Sequence, residues 1–139
     1  MFRMALTQSV ISINVSDVRA SSEWAQRHLG FTEAMAAEGF ASLTHPEAGF
    51  HIALLAVGLE TFKPASAAGQ VDGLLIAFEV DDMEQRYARL QDEGVTVVTP
   101  LEVEPWGERY FQVADPSGVI YQFVDWVEAP PADAISQQV

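Results

Sequence analysis

The stretch LLIAFEVDDMEQRYARLQDEG, residues 74–94, decides how the chain is read. Its first part alternates: Ile76, Phe78 and Val80 share one parity, and Ala77 and Glu79 the other. That period of two predicts a strand. The pattern then changes. Met83, Tyr87 and Leu90 fall on one helical stripe, and Gly94 stands where a helix would end. The same signals occur earlier in the chain. ISINVSD at 11–17 answers IAFEVDD at 76–82, an offset of 65 residues, and the helix-ending glycines Gly30 and Gly94 are 64 apart. FASLTHP at 40–46 answers YFQVADP at 110–116, an offset of 70. Few letters coincide, but strand, turn and helix signals recur in order. The chain reads as a duplicated unit of roughly 60 residues.

Working outward, SVISINVSD predicts a strand, and SDVRASSEWAQRHLGF a helix. Ser16 or Asp17 caps that helix, Gly30 ends it, and Trp24 and His28 lie one turn apart on it. GFASLTH and GFHIALLAV are strands joined by the turn HPEAG. LETFKPASAAGQVDG, small, polar and carrying Pro64, reads as a linker. VTVVTPLEV is a strand expected to break at Pro100, and GERYFQVADPSGVIYQFVDWV a hairpin about Asp-Pro-Ser-Gly. A single α+β domain over 1–139 is expected: module one about 9–60, linker about 61–71, module two about 72–127, and a frayed tail at 128–139. One helix per module covers one face of a sheet. Two modules together would leave a concave sheet with helices outside.

A chain of 139 residues, 49% of them apolar, suits one domain with a real core. With no Cys there is no disulfide, thiolate metal site or Cys nucleophile. No apolar run is long enough for a transmembrane helix, so no membrane association is expected. MFRMALTQSV lacks the pattern of a signal peptide, and a cytoplasmic location is expected. The net charge of −13 is uneven: residues 1–65 carry −2 and residues 66–139 carry −11. Such a field repels nucleic acid and attracts cations, although solubility alone would also explain it.

The stretches INVSD…HLGF, FEVDDMEQRYARLQDEGV and PWGERYFQVADPSGVIYQF give the chain its resemblance to a known family. From about Ser9 to Val127 it resembles the vicinal oxygen chelate superfamily. That superfamily includes glyoxalase I, extradiol dioxygenases, fosfomycin resistance enzymes and bleomycin resistance proteins. The third stretch looks most like the bleomycin-resistance branch, where Pro-Trp-Gly often precedes the Asp-Pro-x-Gly turn. The resemblance implies a pair of βαβββ modules forming a cupped mixed sheet with helices on the outer face, and commonly a homodimer. Catalytic relatives hold a divalent metal with His, Glu or Gln from four strands. Carried onto this sequence, those positions read Val10, Ala53, Leu75 and Gln122. Three of the four have no side-chain lone pair, and one amide oxygen cannot hold Zn²⁺, Mn²⁺ or Fe²⁺. The expectation is therefore no metal, no cofactor and no catalytic set.

Parity then gives the lining of the cup. Taking the four positions above as inward-facing, the first strand offers Val10, Ser12 and Asn14, and its neighbour His51, Ala53 and Leu55. Phe40 and Ser42 match Tyr110 and Gln112 of the second module. Leu75, Ala77 and Glu79 follow, with Glu108, then Ile120, Gln122, Val124 and Trp126. The opposite parity, from Ile11, Ile13 and Val15 to Tyr121 and Phe123, is nearly all apolar and suits a helix-packed core. The candidate ligand-binding residues are Phe40, Ser42, His51, Trp106, Glu108, Tyr110, Gln112, Gln122 and Trp126. Aromatic rings would stack a planar ligand, while Glu108, Gln112 and Asn14 would orient polar groups. Trp106 would form a lip, or else pack at an interface. Arg109, of opposite parity, is expected to pair with surface acids.

Three histidines need separate weighing. His28 lies on a helix, His45 in a turn, and His51 shares parity with Ala53. A hydrogen-bonded structural role competes with ligand contact or proton transfer at His51. No Ser-His-Asp set, phosphate loop or His-Glu-x-x-His motif is present. The leading expectation is a metal-free protein that sequesters a cationic or aromatic small molecule, an antibiotic being one candidate. The alternatives are a lyase, isomerase or dioxygenase of the same superfamily, acting through His51 or Glu108 or an unrecognised metal set, and an accessory domain whose cup is filled by its own side chains.

Overall fold

The computed structural model describes residues 5–127. The expected frayed tail at 128–139 lies outside the described residues. The chain divides into two compact units between Gly73 and Leu74.

The first unit runs β1 (Val10–Val15), α1 (Val18–Leu29), β2 (Thr32–Ala37), β3 (Phe40–Thr44) and β4 (His51–Ala56). The second repeats it as β5 (Leu75–Glu79), α2 (Met83–Asp92), β6 (Thr96–Val103), β7 (Glu108–Ala114) and β8 (Ile120–Trp126). Each unit is a βαβββ module with its own mixed sheet. The strand orders, β1-β4-β3-β2 and β5-β8-β7-β6, are the same topology used twice. In each, the first and last strands pair parallel, and the remaining pairs are antiparallel.

Local chemistry sets the helix ends. Asp17 is the N-cap of α1, its Oδ1 accepting from the Ala20 N–H at 3.0 Å. Gly30 closes the helix in the left-handed region at φ 80°, a conformation a β-carbon would strain. His45 satisfies one of the last carbonyls: its Nε2–H donates to Leu29 O at 3.1 Å, while Nδ1 accepts from the Glu47 N–H at 3.0 Å. That makes His45 structural. His28 is structural too, buried on α1 with its ring edge-on to Trp24 at 5.4 Å.

In the second unit Arg86 bridges to Asp82 one turn back and lies over the Phe123 ring, 5.3 Å from its centroid. Arg109 on β7 donates to both Asp125 oxygens at 2.8 and 2.6 Å and also to Glu84 in the first turn of α2. This is the pairing with acids expected from its parity, and it ties the helix to β7 and β8. Its two carboxylate partners hold the Arg109 guanidinium above its ordinary range, Asp125 more than Glu84.

The apolar parity read from the sequence marks the helix-covered faces. On the helix-covered faces, Ile13, Val15, Leu43, Ile52 and Leu54 in one unit and Phe111, Val113, Tyr121 and Phe123 in the other are buried. Rings of Phe111, Phe123 and Phe78 stack on one another, and Tyr87 of α2 packs on Phe111 at 4.8 Å. Burial raises the Tyr121 hydroxyl well above the ordinary tyrosine range, with a further push from Asp115.

Three local expectations change. Pro100 does not break its strand: β6 runs through it, because β6 is an edge strand and its register shifts between Thr99 and Glu102. β2 had no sequence signal of its own. Its residues TEAMAA are rich in alanine, mostly exposed, and bulged between Glu33 and Met35. The segment read as a linker folds back onto the first unit. It forms a short 3-10 turn, Ala65–Ala67, and Gly58 N–H donates to Ala68 O at 2.8 Å.

Candidate functional site

Each sheet has one face covered by its helix and one open face, and the expected ligand residues on strands all fall on the open faces. In the first unit the register stacks three rows across the strands. Val10 pairs with His51; Ser12, Ala53, Ser42 and Met35 form the next row; Asn14, Leu55, Phe40 and Ala37 form the third. The corresponding rows of the second unit are Leu75 with Ile120; then Ala77, Gln122, Gln112 and Thr99; then Glu79, Val124, Tyr110 and Glu102. Glu108 and Trp126 add a fourth row beyond these. Phe40, Ser42 and His51 thus share one face, and Glu108, Tyr110, Gln112, Gln122 and Trp126 share the other. Trp106 stands apart from both sets, in the turn between β6 and β7.

The rows of the first unit's open face carry no Asp, Glu, Lys or Arg, and the face is partly occupied. Asn14 was expected to orient a ligand. It is buried, and its Nδ2 donates to Ala67 O at 2.7 Å and to Gly69 O at 2.8 Å. Its amide latches the folded-back segment, so both of its N–H groups are already used. His51 accepts at Nδ1 from the Gln8 side-chain amide.

The second open face is longer-chained and negative. Tyr110 donates its hydroxyl to Glu104 at 2.6 Å. That hydrogen bond, then desolvation, then the charges of Glu104, Glu102 and Glu108, push its ionisation up to about 12. Glu79 stands in the same row. Trp126 is 36% exposed at the end of β8, so an aromatic ring is available there. Two rows from Trp126, beyond the Tyr110 row, lies a polar relay. Thr99 Oγ1–H donates to Gln112 Oε1 at 2.6 Å, and Gln112 Nε2–H donates to Gln122 Oε1 at 2.8 Å. Trp106 Nε1 is buried and is the single buried side-chain nitrogen or oxygen without a partner among the described residues. Leaving such a donor unmade costs about 1–3 kcal/mol.

The turn between β7 and β8 fixes the register of this face. Asp115 Oδ1 accepts from the N–H groups of Ser117 and Val119, both at 2.9 Å, and Asp115 N–H donates to Val119 O. Asp115 and Ser117 are buried, and Gly118 takes φ 86°. The Asp-Pro-Ser-Gly turn so formed sets Gln112 opposite Gln122.

The donor set does not fit a divalent metal. In the first unit Val10 and Ala53 offer hydrocarbon. In the second, Leu75 does the same, and the Gln122 carbonyl oxygen already accepts from Gln112. Among the described residues no group of three or more His, Cys, Asp and Glu could hold a metal ion. Thr99 and Glu104 also reach this face, and parity alone did not supply them: a register shift on β6 hides Thr99, and Glu104 lies in the turn beyond β6.

With this geometry in hand, comparison with known proteins identifies the family. The model of the Glyoxalase/Bleomycin resistance protein/Dioxygenase superfamily matches residues 7–123, and the chain belongs to that superfamily. A glyoxalase/bleomycin resistance protein/dioxygenase from Nocardioides is 26% identical with a TM-score of 0.75, over 94% of this chain and 91% of that one. TioX from Micromonospora sp. ML1 shares the fold, with a TM-score of 0.68 at 23% identity, over 87% of this chain and 99% of that one. An uncharacterised protein of Mycobacterium bovis is 39% identical over 61 residues, 44% of this chain and 39% of that protein. The match therefore spans about two-fifths of that relative's length. No helix among the described residues is long and apolar enough to cross a membrane.

Proposed function

We propose that this protein binds and sequesters a planar aromatic cation on the open face of its second unit, without a metal and without chemistry. One observation carries the reading: Tyr110 and Trp126 share that face with Glu79, Glu102 and Glu108, and Glu104 holds the Tyr110 hydroxyl. Aromatic rings supply a stacking surface, and the carboxylates supply attraction for positive charge. The −11 charge of residues 66–139 extends that attraction beyond the face. An antibiotic of this chemistry is one candidate ligand. A homodimer and a cytoplasmic location go with the reading, and light scattering of the purified protein tests the first.

The test is a thermal-shift panel on EDTA-treated protein. One arm holds Mn²⁺, Fe²⁺, Ni²⁺ and Zn²⁺; the other holds flat aromatic cations and a bleomycin-class drug. A ligand at 100 times its dissociation constant adds about 2.7 kcal/mol. Stabilisation in the organic arm alone supports the reading. Stabilisation by a metal alone contradicts it.

A second reading, an enzyme of the superfamily, draws on His51. Its Nδ1 is engaged by Gln8, which leaves Nε2 for proton exchange with a substrate. It requires turnover that His51→Ala abolishes.

A further inference from the structure

The row Thr99–Gln112–Gln122–Ala77 crosses all strands of the second sheet. Its hydrogen bonds run one way. The Thr99 hydroxyl donates to the Gln112 carbonyl, and the Gln112 amide donates to the Gln122 carbonyl. Each amide is thereby oriented by the one before it, and the row ends on the Gln122 NH₂. The next residue across is Ala77, an exposed methyl that offers no acceptor. Neither N–H of Gln122 has a partner among the described residues, whereas its carbonyl is engaged.

From this polarity we infer that Gln122 is a specificity residue: its NH₂ donates to a hydrogen-bond acceptor oxygen, of the carbonyl or amide type, carried by the ligand over Ala77. The inference rests on the aromatic-cation reading above and deepens it. The Tyr110 row is the next one on the same face, roughly 7 Å away at two residues' rise. The ligand class is therefore a planar cation bearing an acceptor oxygen about 7 Å from the ring that stacks there. A chained amide is a better donor than an isolated one, because each bond polarises the next. A ligand without the oxygen leaves the Gln122 donors to water.

Two measurements test this. In protein labelled with ¹⁵N and ¹³C, scalar coupling across the hydrogen bond should join Gln112 Nε2 to the Gln122 side-chain carbonyl carbon. Coupling from Gln122 Nε2 to the Gln112 carbonyl carbon instead would show the opposite polarity and overturn the inference. The second is a titration with 1-methylquinolinium and with 1-methylquinolinium-6-carboxamide, matched cations differing in the acceptor. The carboxamide should bind about tenfold more tightly, the worth of one good hydrogen bond. Thr99→Val should reduce that preference to about two- to threefold, since Gln112 is then free to turn over. Gln122→Glu keeps an acceptor for Gln112 but removes the donor, and should abolish or reverse the preference. Equal binding of both cations to the unaltered protein overturns the inference and leaves the aromatic-cation reading standing. Binding of neither removes that reading and the inference with it.

Discussion

The two units share one topology and use it differently. Their helix-covered faces are counterparts in position, each a set of buried apolar side chains at alternate positions, aliphatic on the first sheet and mainly aromatic on the second. Their open faces diverge. Where the first unit has Met35, Ser42, Ala53 and Ser12 in a row, the second has Thr99, Gln112, Gln122 and Ala77. Where the first has Asn14 latching its own chain, the second has Glu79, with Tyr110 and Glu102 in the same row. A duplicated fold keeps the pattern that buries its core, since a slip of one residue would expose the whole apolar set. Nothing in that requirement constrains the other face. The divergence is therefore where function is to be sought.

The comparison can be broken most forcefully at the cores. Phe111→Ala removes the ring at the centre of the second unit's aromatic stack and should cost about 3–5 kcal/mol. Leu43→Ala, in the first unit, should cost about 2–5 kcal/mol, and urea unfolding reads both. If one proved nearly neutral, the equivalence of the two cores would fail.

The open faces should respond unequally. Asn14→Ala leaves the Ala67 and Gly69 carbonyls without their donor and should destabilise by about 1–3 kcal/mol. Binding at the second unit should be unchanged. Trp126→Ala should do the reverse: stability shifts little, because the ring is partly exposed, while affinity for an aromatic cation drops about tenfold. Raising salt should weaken that binding too.

The smallest effect concerns one proton. Tyr110 ionises at about 12 rather than the usual 10.0, its hydrogen bond to Glu104 being the largest cause. A tyrosine whose pKa is raised by folding contributes stability that is complete below pH 10 and lost as the pH climbs through about 12. Glu104→Gln should bring the Tyr110 midpoint down towards 10, read by absorbance or by the ring-carbon resonance. An unchanged midpoint would remove Glu104 from the account of this face.

Much of this was legible in the sequence because it follows from periodicity. Parity of two placed Gln112 and Gln122 on one face and Arg109 on the other, and a cap at Ser16 or Asp17 with Gly30 at the end announced the first helix. What escaped had physical causes. The residues of β2, TEAMAA, form an edge strand held by backbone pairing to β3, and alanines carry no strand signature. Pro100, which has no N–H, breaks a strand only where a donor is needed at that position, and an edge strand has one side free. Asn14 stands at a ligand-facing parity, yet its partners are carbonyls more than 50 residues on, which no local pattern reveals. Thr99 reaches Gln112 past a shifted register on β6, and Glu104 reaches Tyr110 from the turn beyond that strand.

The most direct test of the central claim is chemical-shift mapping of ¹⁵N-labelled protein titrated with 1-methylquinolinium. The account predicts saturable shifts centred on Tyr110, Gln122 and Trp126, weakening as salt is raised. Shifts centred on Phe40, Ser42 and His51, or none at all, would contradict it.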